Sequence, residues 1–304
     1  MPAASPPPPA DLREGIPAAS MTVHGLACTT SLTLRGSRSA ELRDALARAW
    51  SRCLAPTDAA PTTPTPGLRL VLEDPSTVEG HEHPAGEDPT PENPAGDSAP
   101  DPETSVAATR LDALLQQTTQ AVTRTFITAQ TGRLLMLHAG ACADPESGAA
   151  VVYVAPGGTG KTTLSRVLGR SLGYLTDETV GITATGRILP YPKPLSIRTN
   201  GWAGPKTETS PDELQLVAAP SAPWLRRIVL LDRTDDHAGP PRCTELEVAD
   251  AIIALAPETS ALSSLERPLH LLADLIAAAG PVLRCTYREA EDLAPLLTAL
   301  VAAA

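Results

Sequence analysis

The chain has 304 residues, of which 42% are apolar, and its formal net charge at pH 7 is −11. This charge argues against a nucleic-acid-binding protein, because neutralising phosphates requires a basic face. The sequence has no signal-peptide core and no apolar stretch that could span a bilayer, which predicts a cytoplasmic protein without a membrane partner.

The five cysteines are widely spaced, odd in number and form no CxxC pair. Such spacing is typical neither of a disulfide framework nor of a zinc site. We therefore expect reduced, buried thiols at Cys28, Cys53, Cys142, Cys243 and Cys285.

Composition divides the chain into four parts. Residues 1–20 are rich in proline and alanine and are predicted to be disordered, and residues 21–72 predict a small α+β unit. Residues 73–104 hold ten acidic and no basic side chains together with many prolines. This composition predicts an acidic disordered segment, either a linker between domains or an insertion within one. Residues 105–304 predict the last and largest domain of the chain.

Apolar periodicity predicts an α/β domain after the acidic segment, with helices packed on a sheet. The predicted elements, in chain order, are a strand over 30–34, a helix over 40–53, a strand over 68–72, a helix from about 111, strands over 133–138 and 150–154, a helix to about 171, short strands over 174–176, 180–184 and 187–189, a strand over 228–231, helices over 245–255 and 265–278, a strand over 282–287 and a helix over 290–301.

A glycine-rich segment at 155–162 reads Ala-Pro-Gly-Gly-Thr-Gly-Lys-Thr and lies between a buried strand and a helix. This is the context of a phosphate-binding loop, although Ala155 stands where the first glycine is usual. Glycines allow backbone N–H groups to converge on phosphates, and the helix adds its positive dipole end. Lys161 is expected to reach the outer phosphates, and the Thr162 hydroxyl to hold Mg²⁺. The predicted ligands are ATP and Mg²⁺, and the predicted nucleotide-binding residues are Pro156, Gly157, Gly158, Thr159, Gly160, Lys161, Thr162 and Thr163.

Two adjacent carboxylates, Asp177 and Glu178, follow a short strand soon after this loop. Taken alone they are typical of a solvated strand end, but their nearness to the loop favours a site. Carboxylates beside the outer phosphate can hold a metal ion or accept the proton of an attacking hydroxyl. Neighbouring side chains of an extended segment point in opposite directions, so we expect one acid to face the metal and the other to face elsewhere.

Taken together, Leu137-His138-Ala139-Gly140, the loop and the acid pair resemble the catalytic domain of HPr kinase/phosphorylase and the HPr-kinase-like ATP-binding proteins. The wording Gly-Thr-Gly-Lys-Thr-Thr-Leu also resembles phosphoenolpyruvate carboxykinase, a structural relative of that family. The resemblance covers roughly residues 111–301. It implies a P-loop kinase-like sheet flanked by helices.

The resemblance also implies ATP-dependent phosphorylation of a serine hydroxyl on a protein or peptide. The implied catalytic residues are Asp177 as general base, His138 beside the phosphates, Lys161 and Arg198. The implied metal partners are Glu178 and Asp177, with Thr162. The family's glutamate-arginine-glycine element, tied to removal of phosphate, is reduced here to Arg198, and its glycine comes only at Gly201. A kinase without the reverse activity is therefore expected.

Three questions stay open at this level. The glycine-rich segment 199–206 fits a mobile lid and a plain surface loop equally well. A non-catalytic ATP-sensing module and a kinase of a small-molecule hydroxyl are alternatives to a protein or peptide kinase. The sequence also leaves room for a homo-oligomer.

Overall fold

The structure is a computed structural model that describes residues 19–54, 63–74, 104–198, 204 and 206–302. Most of the two segments predicted to be disordered lies outside these residues, as does the proposed lid apart from Gly204 and Lys206. Within the described ranges, no helix is both long and apolar enough to cross a membrane.

A four-stranded sheet forms the first part of the molecule, in the order β1-β2-β3-β4. The first strand is antiparallel to the second, and the other pairs are parallel. Two helices cover the sheet, and Trp50, Phe126 and Tyr191 are the large side chains buried between them. The elements are β1 (Ala19–Gly25), β2 (Cys28–Arg35), α1 (Ser39–Ala49), β3 (Leu68–Leu72), β4 (Thr104–Ala108) and α2 (Leu111–Gln130).

The acidic segment joins two neighbouring strands of this sheet. Strand β4 follows the segment in sequence, yet it pairs with β3 in parallel from Leu68 to Leu72. The small unit therefore takes in β4 and packs against α2, both of which lie beyond the boundary expected at residue 72.

The second sheet has nine strands and holds the candidate site. Its main path is β13-β15-β12-β6-β5-β8-β9, and β7 and β14 pair with the two halves of the long strand β5. A separate hairpin, β10-β11, lies beside it. The elements are β5 (Leu135–Ala143), β6 (Ala149–Val154), α3 (Lys161–Leu168), β7 (Gly173–Thr176), β8 (Thr179–Ile182), β9 (Ile188–Leu189), β10 (Leu195–Arg198), β11 (Lys206–Thr209), β12 (Trp224–Arg233), β13 (Arg242–Glu245), α4 (Val248–Leu255), β14 (Thr259–Ser260), α5 (Pro268–Ala279), β15 (Leu283–Tyr287) and α6 (Ala290–Ala302).

Helices cover both faces of the second sheet, which makes the protein a mixed α/β molecule. On β6, Val151 and Tyr153 pack in one core with α3 and α6, and Val152 and Val154 pack in another with α4 and α5. This alternation follows from the two-residue period of a strand. It explains why every residue of β6 is buried.

Helix α3 ends at Leu168 rather than near residue 171 as predicted. Gly169 is its C-cap, and the carbonyl of Gly169 accepts a hydrogen bond from the Val217 N–H at 2.7 Å. The chain leaves the helix there because the Gly169 carbonyl accepts this bond from Val217 and not the next N–H of a continuing helix.

The expectation of five reduced cysteines is wrong for two of them. Cys243 on β13 lies directly opposite Cys285 on β15, and the two form a disulfide with their Cα atoms 4.1 Å apart. Cys28, Cys53 and Cys142 are free and buried, as expected. Strand register decides the pairing, which two cysteines at a sequence separation of 42 do not reveal by themselves.

Candidate functional site

Strand β5 brings three separate segments to one place at the edge of the second sheet. Its Ala139 lies opposite Val154, the last residue of β6, from which the glycine-rich loop (155–162) starts. On its other side, His138 lies opposite Thr179, and the Ala139 N–H donates to the Glu178 carbonyl at 3.0 Å. The loop, His138 and the acid pair therefore converge on one pocket of about 450 Å³.

The glycine-rich loop has the backbone that its sequence requires. Gly158 and Gly160 have φ angles of 82° and 101°, which only glycine adopts without strain. A Cβ at Gly157 would meet nothing within 4 Å, so this position is open toward the pocket. Ala155 is buried and is absent from the positive-φ residues, so alanine is tolerated where the first glycine is usual.

Lys161 begins α3 and folds back over the loop. Its Nζ donates to the carbonyl of Ala155, and to that of Pro156 at 3.2 Å. Burial lowers the pKa of Lys161, and the carboxylates of Glu258, Asp177 and Glu178 partly oppose this. The ammonium group is thus held over the loop while it lines the pocket.

Asp177 is bonded directly to the loop. The Thr162 hydroxyl donates to Asp177 Oδ2 at 2.8 Å, and the Tyr174 hydroxyl donates to Oδ1 at 3.2 Å. The Asp177 residue is only 4% exposed, yet it lines the pocket. The structure therefore brings the first acid of the pair onto the residue that ends the glycine-rich loop.

Lys193 joins both acids of the pair, and the sequence interpretation missed it. Its Nζ lies 2.9 Å from Asp177 Oδ1 and 3.1 Å from Glu178 Oε2, and the residue is 1% exposed. Burial by itself lowers the pKa of Lys193, but the carboxylates of Asp177, Glu178 and Glu208 outweigh it and raise the pKa well above its usual value. Lys193 is therefore a buried, charged ammonium.

The expectation that the two acids face opposite ways is wrong. Residues 177–178 form a bend between β7 and β8 instead of continuing a strand. The strand period therefore does not apply to them, and both carboxylates reach Lys193. Asp177 is buried beneath the loop, whereas Glu178 is half-buried.

His138 lines the pocket, and its Nδ1 lies 3.3 Å from Glu258 Oε2. Burial and the nearby Lys161 charge lower the pKa of His138, although the carboxylates of Glu258 and Glu178 act in the other direction. The imidazole is therefore neutral at neutral pH. Its partner Glu258 comes from the segment after α4, which the sequence did not connect with the site.

Gly140 has a packing role rather than a place in the pocket. It lies opposite Tyr153, and a Cβ at Gly140 would come within 2.2 Å of the Tyr153 ring. The ring in turn positions its hydroxyl 2.6 Å from the Ser165 Oγ on α3. Gly140 therefore leaves room for the ring of Tyr153, whose hydroxyl contacts helix α3 after the glycine-rich loop.

Arg198 is the last residue of β10 and lines the side of the pocket that the β10-β11 hairpin forms. It is distant from the glycine-rich loop in sequence and lies opposite Lys206 in the register of the hairpin. Its guanidinium donates to the Gly204 carbonyl at 3.3 Å. Beneath it, Ser196 and Thr119 donate to the buried Glu208 carboxylate at 2.6 and 2.9 Å. These bonds anchor the hairpin to α2.

One signal in the sequence could have found the missed cations. The chain has 24 lysine and arginine residues, and only Lys161, Lys193 and Lys206 are lysines. All three line this pocket. The other 21 cations are arginines, so lysine in this chain marks the site.

Comparison with known proteins gives distant structural likenesses alone. No protein-family model matches the chain, and no curated protein matches it. Among solved structures, the HPr(Ser) kinase/phosphatase from Coxiella burnetii is similar over 55% of this chain and 94% of its own, with 13% identity and a TM-score of 0.27. A likeness this distant carries no argument about activity, so the function has to be argued from the chemistry of the pocket.

Proposed function

We propose that this chain is a magnesium-dependent kinase that transfers the γ-phosphoryl group of ATP to a serine-type hydroxyl of a protein or peptide. The single observation that carries the proposal is the 2.8 Å hydrogen bond between Thr162 Oγ1 and Asp177 Oδ2. It joins a carboxylate, the group that accepts a proton, to a glycine-rich loop of the type that holds phosphates.

Each residue has a role that its position supports. The N–H groups of the loop and Lys161 bind the phosphates, and Lys161 neutralises charge on the transferred group. Asp177 accepts the proton of the acceptor hydroxyl as that oxygen attacks the γ-phosphorus. Lys193 balances the charge of the two acids and orients them. His138, held by Glu258, lies beside the phosphates and can donate or accept a hydrogen bond without adding charge.

The donors of the pocket fit magnesium. Thr162 offers a hydroxyl oxygen, and Asp177 and Glu178 offer carboxylate oxygens, which are the ligands that Mg²⁺ prefers. The described residues hold no group of three or more His, Cys, Asp or Glu side chains that could form an all-protein metal cage. This agrees with an ion held by one or two carboxylates and the substrate phosphates. When bound, magnesium would supply charge neutralisation at those phosphates.

The proposal is tested by Asp177→Asn in the full chain. Removal of the general base should lower kcat by about 10²- to 10⁴-fold, while MgATP binding measured by calorimetry should fall far less, because Thr162 and Glu178 remain as metal donors. Asp250→Asn, which changes an exposed carboxylate on α4, is the matched control and should leave both quantities unchanged. Lys161→Ala should weaken both binding and transfer.

Transfer itself separates a kinase from a nucleotide sensor. With γ-labelled ATP and serine-containing peptides, a kinase places label on a side chain, whereas a sensor binds ATP and labels nothing. Label on a small metabolite would instead assign a small-molecule kinase. Full turnover by the Asp177→Asn variant would contradict the assigned base.

A further inference from the structure

The pocket carries an excess of positive charge that the nucleotide does not use up. Five cationic side chains and two carboxylates line it, a net charge of +3 in a chain whose overall charge is −11. MgATP would bring about two negative charges. A positive surplus therefore remains for the second substrate.

The five cations differ in whether a carboxylate or a carbonyl group holds them. Lys161 is bonded to loop carbonyls and Lys193 to the acid pair. Arg166, Arg198 and Lys206, here called the rim cations, have no carboxylate partner among the residues that the structure describes. Arg166 lies one helical turn after Thr162 on α3, and β10 packs against that helix.

The hairpin holds two of the rim cations in a costly arrangement. Arg198 and Lys206 are directly opposite each other in the antiparallel register, where like charges repel. The neighbouring pair on the same face, Ser196 and Glu208, is joined by a 2.6 Å hydrogen bond and fixed to α2 through Thr119. The hairpin is thus fixed by hydrogen bonds at its base, whereas two like charges face each other at its rim.

We infer that the rim cations bind carboxylate side chains of an acidic peptide that carries the acceptor serine. The inference rests on the proposed function and names its substrate class. Loop N–H groups and Lys161 provide for the phosphates of ATP, so the rim cations are the charges left for a second, anionic ligand. A peptide with glutamates beside the serine would place one carboxylate near Arg166 and another between Arg198 and Lys206, which removes their repulsion.

The test uses the full chain with MgADP and three fluorescent peptides of equal length, whose single serine is flanked by Glu, Ala or Lys. Fluorescence anisotropy should give binding of the Glu peptide about tenfold tighter than that of the Ala peptide, a difference of about 1.4 kcal/mol that is shared by several exposed charge pairs. The Lys peptide should bind most weakly. With γ-labelled ATP, phosphorylation should follow the same order.

The decisive variant is the double charge reversal Arg198→Glu with Lys206→Glu. It keeps a like-charged pair in the register, so the hairpin should stay intact, and it should invert the preference toward the Lys peptide. The control Arg170→Glu with Arg187→Glu makes the same change of net charge at exposed residues outside the pocket and should keep the wild-type order.

Two outcomes would overturn the inference. One is peptide binding that does not depend on flanking charge. The other is a double reversal that weakens MgATP binding and leaves the peptide order unchanged, which would assign the rim cations to the nucleotide. Charge-dependent peptide binding without any phosphate transfer would contradict the proposed kinase activity alone, so the two failures are distinguishable.

Discussion

Lys193 illustrates how one residue can organise a site. Its ammonium group is buried with Asp177, and breaking such a pair leaves a buried charge without its counter-charge. The sequence around it, Tyr-Pro-Lys-Pro, has no motif that would mark a site. Its importance comes from the bend at residues 177–178, which turns both acids toward it.

Lys193→Met should therefore lower the free energy of unfolding by about 3–5 kcal/mol, because Asp177 loses its counter-charge in a buried position. Adding Asp177→Asn should recover part of this loss by removing the stranded charge. Urea unfolding of the single and double variants measures both effects. Arg170→Met, an exposed cation with no acid partner among the described residues, is the control. Equal stability of Lys193→Met and the wild type would show that the pair contributes nothing.

At the scale of elements, strand β5 determines where the chemistry can be. Its first half pairs with β8 and β14 and its second half with β6 and β7, so one strand borders the glycine-rich loop, the acid pair and the segment of Glu258. The hairpin β10-β11 then forms the opposite wall. Among these pairings, that of β5 with β6 joins consecutive strands, whereas those with β7, β8 and β14 join strands separated by other elements and do not follow from local sequence.

The pairing of β13 with β15 predicts the thiol content of the protein. Isolated without reductant and then denatured, the chain should expose three reactive thiols rather than five, because Cys243 and Cys285 are joined. Before denaturation the three free thiols should react slowly, since burial raises the pKa of Cys142 to about 12 and also raises the pKa values of Cys53 and Cys28.

A colorimetric thiol assay before and after denaturation measures both numbers. Cys243→Ser should raise the number of reactive thiols in the denatured chain from three to four, because Cys285 is then free. Five thiols in the unreduced wild type would contradict the disulfide.

At the scale of the whole molecule, charge is distributed unevenly. The chain is acidic, yet the pocket is basic, and this contrast favours an anionic ligand in the pocket. Burial of charged groups in this pocket also connects the site with the stability of the whole fold.

His138 makes the stability depend on pH. Because its pKa in the folded protein is lowered, the unfolded chain binds more protons in mildly acidic solution. The associated stability is present above the unfolded pKa of about 6.5 and is lost as the pH falls through the folded value. Urea unfolding at about pH 7.5 and about pH 5.5 should show a decrease in the wild type that is smaller in His138→Gln. His270→Gln, at an exposed histidine, should keep the wild-type decrease; an equal decrease in His138→Gln would contradict the assignment.

The sequence alone was sufficient for the features that depend on local patterns. It located β3, β6 and α6 to within about two residues and the start of α2, gave the mixed α/β class, and identified the glycine-rich loop, because periodicity and glycine conformation are properties of short segments. It also picked out Asp177 from its position after the loop helix.

Tertiary structure decided what depends on strand order and register. The pairings of β4 and β13, the Cys243–Cys285 bond, and the contacts of Lys193 and Glu258 with the site all join residues that are distant in sequence. A pairing between distant residues is fixed by the packing of the whole sheet, so a short stretch of neighbouring residues does not predict it.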